Sequence, residues 1–109
     1  MVELLAYRTK SGSEPFTEWR SKLDDTTRAR IDTAVSRLQL GNFSAAKSVG
    51  SGVSELRLDF GPGYRVYFGM DGEQLVILLG GGTKKRQQRD VEEAKALWRG
   101  YKLARKKGD

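Results

Sequence analysis

Arg57 and Arg65 fall at alternating positions of two consecutive strand-like runs, and Lys84, Lys85 and Arg86 cluster further on, where a helical pattern begins. The planar fork of arginine can hold two oxygens of one phosphate and keeps its charge at any working pH. The pattern therefore suits binding of a phosphate-bearing polyanion and stabilisation of charge that builds up on phosphorus. Glu55 and Tyr67 share the face of the two arginines. The carboxylate can act as a base or orient Arg57, and the tyrosine offers a hydroxyl donor or a ring for base stacking. Arg86 and Arg89 extend the patch and suit contacts to flanking phosphates. The plainer alternative is that Arg65 pairs with Asp59 across strands and Arg57 with the nearby Glu55, while the lysines form a solvated helix start.

Lys84 and Lys85 stand near a predicted helix N-terminus, where the dipole favours anions, so cations there act locally against folding. A lysine crowded by Arg57, Arg65 and its neighbour is expected to have its pKa lowered from about 10.4 toward neutrality, and a neutral amine can take a proton. Either lysine satisfies this reading.

Three strands must position these groups. With a loop at Gly61-Pro62-Gly63, Phe60 pairs with Tyr64, Leu58 with Val66 and Leu56 with Phe68. One face is then apolar, and the other carries Glu55, Arg57 and Asp59 against Gly69, Tyr67 and Arg65. Asp71-Gly72 suits a type I′ turn that sets Phe68 beside Leu75, Val66 beside Ile77 and Tyr64 beside Leu79. Residues 75–79, LVILL, are apolar throughout, so this strand is expected inside the sheet with both faces covered.

Upstream, residues 2–8 read as a strand. Ser13 is expected to cap a short helix with Phe16, Trp19 and Leu23 on its buried side. Asp24 or Asp25 can cap a second helix carrying the stripe Ile31, Ala34, Val35 and Leu38, with Gly41 as its stop and a loop over the next eleven residues. After Gly80-Gly81-Gly82, Thr83 can cap a last helix whose apolar face is Val91, Ala94, Leu97, Trp98 and Tyr101. The order β-α-α-β-β-β-α predicts an α+β fold: a mostly antiparallel four-stranded sheet with helices packed on one face. Residues 1–109 read as a single domain, with 104–109 a charged flexible tail.

The chain has 109 residues, no Cys and no His, which excludes disulfides, imidazole or thiol catalysis and the usual ligands of zinc. Neither a metal nor another cofactor is expected. No secretory signal or membrane span is read, so the expected location is cytoplasmic. The net charge of +6 is unevenly placed: residues 1–83 hold 10 Lys and Arg against 10 Asp and Glu, whereas residues 84–109 hold 10 against 4. A clustered basic end suits RNA, DNA or an acidic protein partner.

Over nearly its whole length the chain resembles the RelE/ParE superfamily of bacterial type II toxins, and within it the HigB-like branch known as addiction module killer proteins. The resemblance is carried by GVSELR at 52–57, GPGYRVY at 61–67, the run Leu78–Gly82, and Lys84–Ala94 ending in QRDVEEA. It implies a sheet-and-helix toxin whose basic face cuts messenger RNA, usually on the ribosome. It also implies a cognate antitoxin that blocks that face, typically a helix-turn-helix protein that binds its own operator DNA. The best known RelE-type sites use a tyrosine shortly after the last strand. Here Thr83–Arg89 contains none, and Tyr67 is the expected substitute.

Such cleavage is chemically reasonable without histidine. Attack of a ribose 2′-hydroxyl on the adjacent phosphate needs a base, positive charge for the phosphorane and a proton for the departing 5′-oxygen. Arg57 and Arg65 suit the second task, and Lys84 or Lys85 the first. Two other readings share the fold: a ParE-like inhibitor of DNA gyrase, and a non-catalytic nucleic-acid binder or decayed toxin. On the non-core face, Arg65 is expected to tolerate truncation to alanine with folding nearly intact and growth arrest abolished.

Overall fold

The apolar alternation of residues 53–79 becomes the middle of a five-stranded sheet in a computed structural model of the chain, which describes residues 2–108. The elements are β1 (Glu3–Ala6), α1 (Pro15–Ser21), α2 (Asp25–Gln39), β2 (Ala46–Gly50), β3 (Val53–Leu58), β4 (Tyr64–Asp71), β5 (Leu75–Thr83), a 3₁₀ turn over Lys84–Arg86, and α3 (Gln87–Gly108). The spatial order of strands is β1-β5-β4-β3-β2. All neighbours are antiparallel except β1 and β5, which run parallel from Glu3↔Leu75 to Ala6↔Leu78.

The fold is α+β as expected, but its sheet has five strands, and helices cover both of its faces. The additional strand, β2, forms within the stretch expected to be loop. Its residues AKSVG are short, with Lys47 and Ser48 exposed, as suits an edge strand, and they carry no strong alternation to reveal it. On one face, Phe16 of α1 and Ile31, Val35 and Leu38 of α2 pack on Leu56, Leu58, Val66, Phe68, Val76 and Leu78. On the other, Ala94 and Trp98 of α3 pack on Val53, Tyr67, Ile77 and Leu79. β5 feeds both clusters, which is why every residue of LVILL is apolar, and each such side chain contributes about 1.5–3 kcal/mol by leaving water.

The registers differ from expectation; the faces hold for β3 and β4, whereas β5 is turned over, with Val76 and Leu78 rather than Leu75, Ile77 and Leu79 on the side of Val66 and Phe68. Leu56 pairs with Val66 and Leu58 with Tyr64, a slip of two residues that lengthens the loop to residues 59–63. Side chains alternate with period 2, so an even slip keeps Leu56, Leu58, Val66 and Phe68 on one side. Between β4 and β5, Asp71 pairs with Leu75, Phe68 with Leu78 and Tyr67 with Gly80. Leu79 is the extra residue of a bulge, and Tyr64 comes to lie opposite Thr83.

Helix ends follow the sequence in part. Asp24 caps α2 by accepting the Thr27 N–H at 2.8 Å. α1 is capped by Glu14, one residue beyond the expected Ser13, with Pro15 at its first position and no side-chain bond to the backbone. Thr83 leads into the 3₁₀ turn in extended conformation without a side-chain cap. Arg20 binds both oxygens of Asp32 at 2.7 and 2.6 Å and ties α1 to α2. α3 is helical through Gly108, so residues 104–108 of the expected tail are helix, while Asp109 lies outside the described residues. No helix among the described residues is long and apolar enough to cross a membrane.

Candidate functional site

Arg57, Arg65 and Gly82 are register partners across β3, β4 and β5, and Glu55, Tyr67 and Gly80 form the adjacent row. The expected register set Arg57 against Tyr67 and Arg65 against Asp59. The two-residue slip instead sets the arginines against each other and Glu55 against Tyr67. Both rows occupy the face on which α3 lies, so the start of α3 decides which of these groups reach solvent.

Three of them do not. Glu55 and Arg65 are each 3% exposed and Tyr67 is 1% exposed. The Glu55 carboxylate organises the layer: its Oε2 accepts from the Tyr67 hydroxyl at 3.1 Å and from Gln87 Nε2 at 2.9 Å, while Oε1 lies 3.6 Å from Arg65 Nε. Arg65 donates from Nη1 to the Gly63 carbonyl at 2.8 Å, and its buried Nε has no hydrogen-bond partner. Burial, followed by the charge and hydrogen bond of Glu55, pushes the Tyr67 hydroxyl well above the usual phenol range. Tyr67 therefore presents neither its ring nor its hydroxyl to the surface. The expected pairs Arg65–Asp59 and Arg57–Glu55 are not formed; Arg65 pairs with Glu55, and among the described residues Arg57 and Asp59 join no ion pair.

Above this layer lie exposed cations. Arg57 is exposed, as are Lys84, Lys85, Arg86 and Arg89. Lys84 is the lysine next to the arginine row, because its N–H donates to the Gly63 carbonyl at 2.9 Å. Gly63 has φ +78°, and a Cβ there would lie 3.2 Å from Arg65 Nη1 and 3.3 Å from Lys84 Cβ. Only glycine combines that backbone conformation with so close an approach. Lys85, Arg86 and Arg89 share a separate solvent-exposed groove with Gln88 and Glu92, and Arg89 pairs with Glu93 at 3.6 Å. The structure thus brings Arg57, Arg65, Glu55, Tyr67 and Lys84 together, and sets Lys85, Arg86 and Arg89 beside them along the start of α3.

Two residues of this neighbourhood went unnoticed in the sequence. Gln87 bonds Glu55, and Asp90 lies so close to Gly82 that an added Cβ there would sit 1.9 Å from Asp90 Oδ2. Burial and then the charge of Glu93 push the Asp90 carboxyl above its usual range, against the pull of Arg86 and Arg89. Their signal was the spacing Gln87, Asp90, Ala94, which continues the buried stripe of α3 to its N-terminus.

Chemically, the arrangement is a cationic rim of Arg57 and Lys84, with Lys85, Arg86 and Arg89 at its side, over a buried carboxylate–guanidinium–phenol layer. The rim suits a polyanion, and the layer fixes the strand ends that carry it. A family model described as "Phage derived protein Gp49-like (DUF891)" matches residues 18–99. A Haemophilus influenzae protein named only "Uncharacterized protein" is 48% identical over 83 residues, which is 75% of this chain and 84% of that protein.

Proposed function

Since the chain belongs to the Gp49-like family, a RelE-like family of addiction-module toxins, we propose that it is the toxin of a type II toxin–antitoxin pair of the HigB-like branch, and that it cuts messenger RNA on the ribosome. The observation that carries this reading is the placement of Lys84 against Gly63, beside Arg65 and next to the row that holds Arg57.

In this reading the Lys84 amine takes the proton of a ribose 2′-hydroxyl as its oxygen bonds to the adjacent phosphorus. Arg57 holds the phosphate oxygens, and Lys85, Arg86 and Arg89 hold phosphates to either side. The bond from phosphorus to the 5′-oxygen breaks, leaving a 2′,3′-cyclic phosphate and a 5′-hydroxyl. That departing oxygen takes its proton from water, because the Tyr67 hydroxyl is buried and given to Glu55. Arg65, Glu55 and Tyr67 act as positioning residues beneath the rim. No metal ion or organic cofactor enters the step. A cognate helix-turn-helix antitoxin is the proposed partner, covering the rim and, as a complex, binding operator DNA.

Controlled expression of the wild type and of Lys84→Ala in bacteria tests this, with growth read beside primer extension on an abundant messenger RNA. Site-specific breaks with the wild type alone are the expected result. A second reading draws on the burial of Glu55, Arg65 and Tyr67, which leaves only cations at the surface: a toxin that acts by contact, on gyrase or on RNA, without cleavage. Growth arrest with intact messenger RNA and altered DNA supercoiling would identify the gyrase form of it.

A further inference from the structure

β1 is an end strand of the sheet, with β5 on one side and no strand on the other. The Glu3 N–H donates to the Gln74 carbonyl at 2.7 Å and the Tyr7 N–H to the Leu78 carbonyl at 2.9 Å, so odd-numbered residues turn their backbone groups toward β5. Those of Val2, Leu4 and Ala6 point the other way. The Val2 N–H is taken by the Gln39 carbonyl at the end of α2, at 2.9 Å. No such bond reaches Leu4 or Ala6 among the described residues.

The side chains along this edge do nothing to repel a strand. β1 carries no lysine and no proline, the usual guards of an exposed edge. Leu5 lies at its middle and is 52% exposed, while Leu40, set beside its start by the bond from Val2 to Gln39, is 72% exposed. They are two of the three exposed large apolar residues among those described, and both border the open backbone groups.

A second copy of the chain matches this edge. Two β1 strands related by a two-fold axis through Leu5 run antiparallel and set Leu4 against Ala6 of the partner subunit, and Ala6 against Leu4 of the partner subunit. Each of these pairs exchanges both N–H to carbonyl bonds, which satisfies every open group of Leu4 and Ala6 in both copies. Leu5 meets Leu5 of the partner subunit in the close position between them and leaves water. Glu3, exposed and in no ion pair among the described residues, comes opposite Tyr7 of the partner subunit. A groove of about 480 Å³ lies there, along residues 5–8 and between Glu14 and the α3 residues Tyr101 and Arg105, so the carboxylate arrives beside two cations, Arg8 and Arg105. A centre on Leu4 would need the Val2 N–H that Gln39 already holds, and a centre on Ala6 would set Leu4 against Arg8.

We infer that the chain forms a two-fold dimer in which β1 of each copy adds antiparallel to β1 of the other, centred on Leu5, so that the two sheets become one. Pairing confined to residues 3–7 makes the dimer weak. The inference goes beyond the toxin reading and does not depend on it, and the rim at Arg57 lies three strands away.

Sedimentation equilibrium of the intact chain from about 10 μM to 1 mM is expected to show a mass rising from 12.2 kDa toward twice that value, with a Kd between about 1 μM and 1 mM. Leu5→Lys is expected to keep the monomer mass throughout and the thermal midpoint that the wild type shows when dilute. A cysteine supplies a second reading that does not rest on that variant, because the chain has none of its own. Residues opposed in the close antiparallel position lie about 4.5 Å apart at Cα, within the span of a disulfide. Mild oxidation is therefore expected to link two copies of Leu5→Cys, and to leave Ser36→Cys, on the exposed face of α2, unlinked. A mass fixed at that of the monomer, association of Leu5→Lys as strong as that of the wild type, or equal linking of the two cysteine variants would each overturn the proposal.

Discussion

Glu55 and Arg65 face each other in the interior, Oε1 to Nε 3.6 Å, each 3% exposed. Desolvating two charges costs more than an exposed pair returns, so the pair is tolerable only while both members remain. Truncation of either residue to alanine is expected to destabilise by about 3–5 kcal/mol, because the other is left as an uncompensated buried charge. The double replacement Glu55→Leu/Arg65→Met is expected to cost far less than the two single changes together. Urea unfolding of the four proteins measures this, and additive losses would show that the two groups do not act as a pair. The expectation that Arg65→Ala spares the fold gives way to this one, so a loss of toxicity in that variant reports on folding first.

Lys84 and Lys85 are adjacent in sequence but differ in place, and this separates their roles. Lys84→Ala is expected to lower RNA cleavage about 10²–10⁴-fold, the range of a lost general base. Lys85→Ala is expected to weaken RNA binding and leave the cleavage rate of bound RNA near wild type. Both residues are exposed, so unfolding free energies are expected to stay within about 0.5 kcal/mol of wild type. Single-turnover cleavage of a saturating RNA distinguishes the two, and the reverse pattern would move the base to Lys85.

Tyr67 gives the fold a dependence on alkaline pH. Unfolded, its phenol loses a proton near the ordinary value of 10.0; folded, burial and Glu55 hold the proton to higher pH. The contribution is full below pH 10, and stability falls as pH rises beyond it, by up to about 1.4 kcal/mol per pH unit for one such group. Tyr101, raised by burial and by its hydrogen bond to Asp71, adds in the same direction. Urea midpoints between pH 8 and pH 11 are expected to drop in the wild type and less in Tyr67→Phe. An identical slope in both proteins would assign the effect elsewhere.

The two tryptophans each lie over a glycine of the sheet. A Cβ on Gly69 would sit 2.6 Å from the Trp98 ring, and one on Gly81 would sit 2.3 Å from that of Trp19. Ring and backbone cannot both stay in place, so Gly69→Ala and Gly81→Ala are each expected to cost about 1–3 kcal/mol through overpacking. Thermal unfolding with tryptophan fluorescence checks this. A stability equal to wild type would mean that the ring moves freely.

Much of this was legible in the chain because side-chain alternation is robust. The hairpin register was off by two residues, yet Leu56, Leu58, Val66 and Phe68 still fell on one face and Glu55, Arg57, Arg65 and Tyr67 on the other. The double cover of the sheet was also written in LVILL, which conflicts with helices on one face only; α3 supplies the second cover through Ala94 and Trp98. β2 was hidden because an exposed edge strand needs no apolar alternation. Burial of Arg65 and Tyr67 was hidden because it depends on where α3 starts and on Gln87 reaching Glu55, a contact across thirty-odd positions of chain. Types and spacing located the charged neighbourhood, but could not say which of its members lie under the surface.

The parallel pairing of β1 with β5 opposes the order of synthesis to the order of assembly. β2, β3, β4 and β5 follow one another antiparallel and can zip up as each emerges, whereas β1 is made before any of them and must wait for Leu75–Leu78. Bringing these distant segments together carries a loop-closure cost that local hairpins avoid, so β1 is expected to dock last. A nascent chain halted before residue 75 would hold Val2 and Leu4 with no β5 on which to settle. The native sheet is thus out of reach until translation has passed through β5, which delays whatever the rim does until the polypeptide is nearly complete.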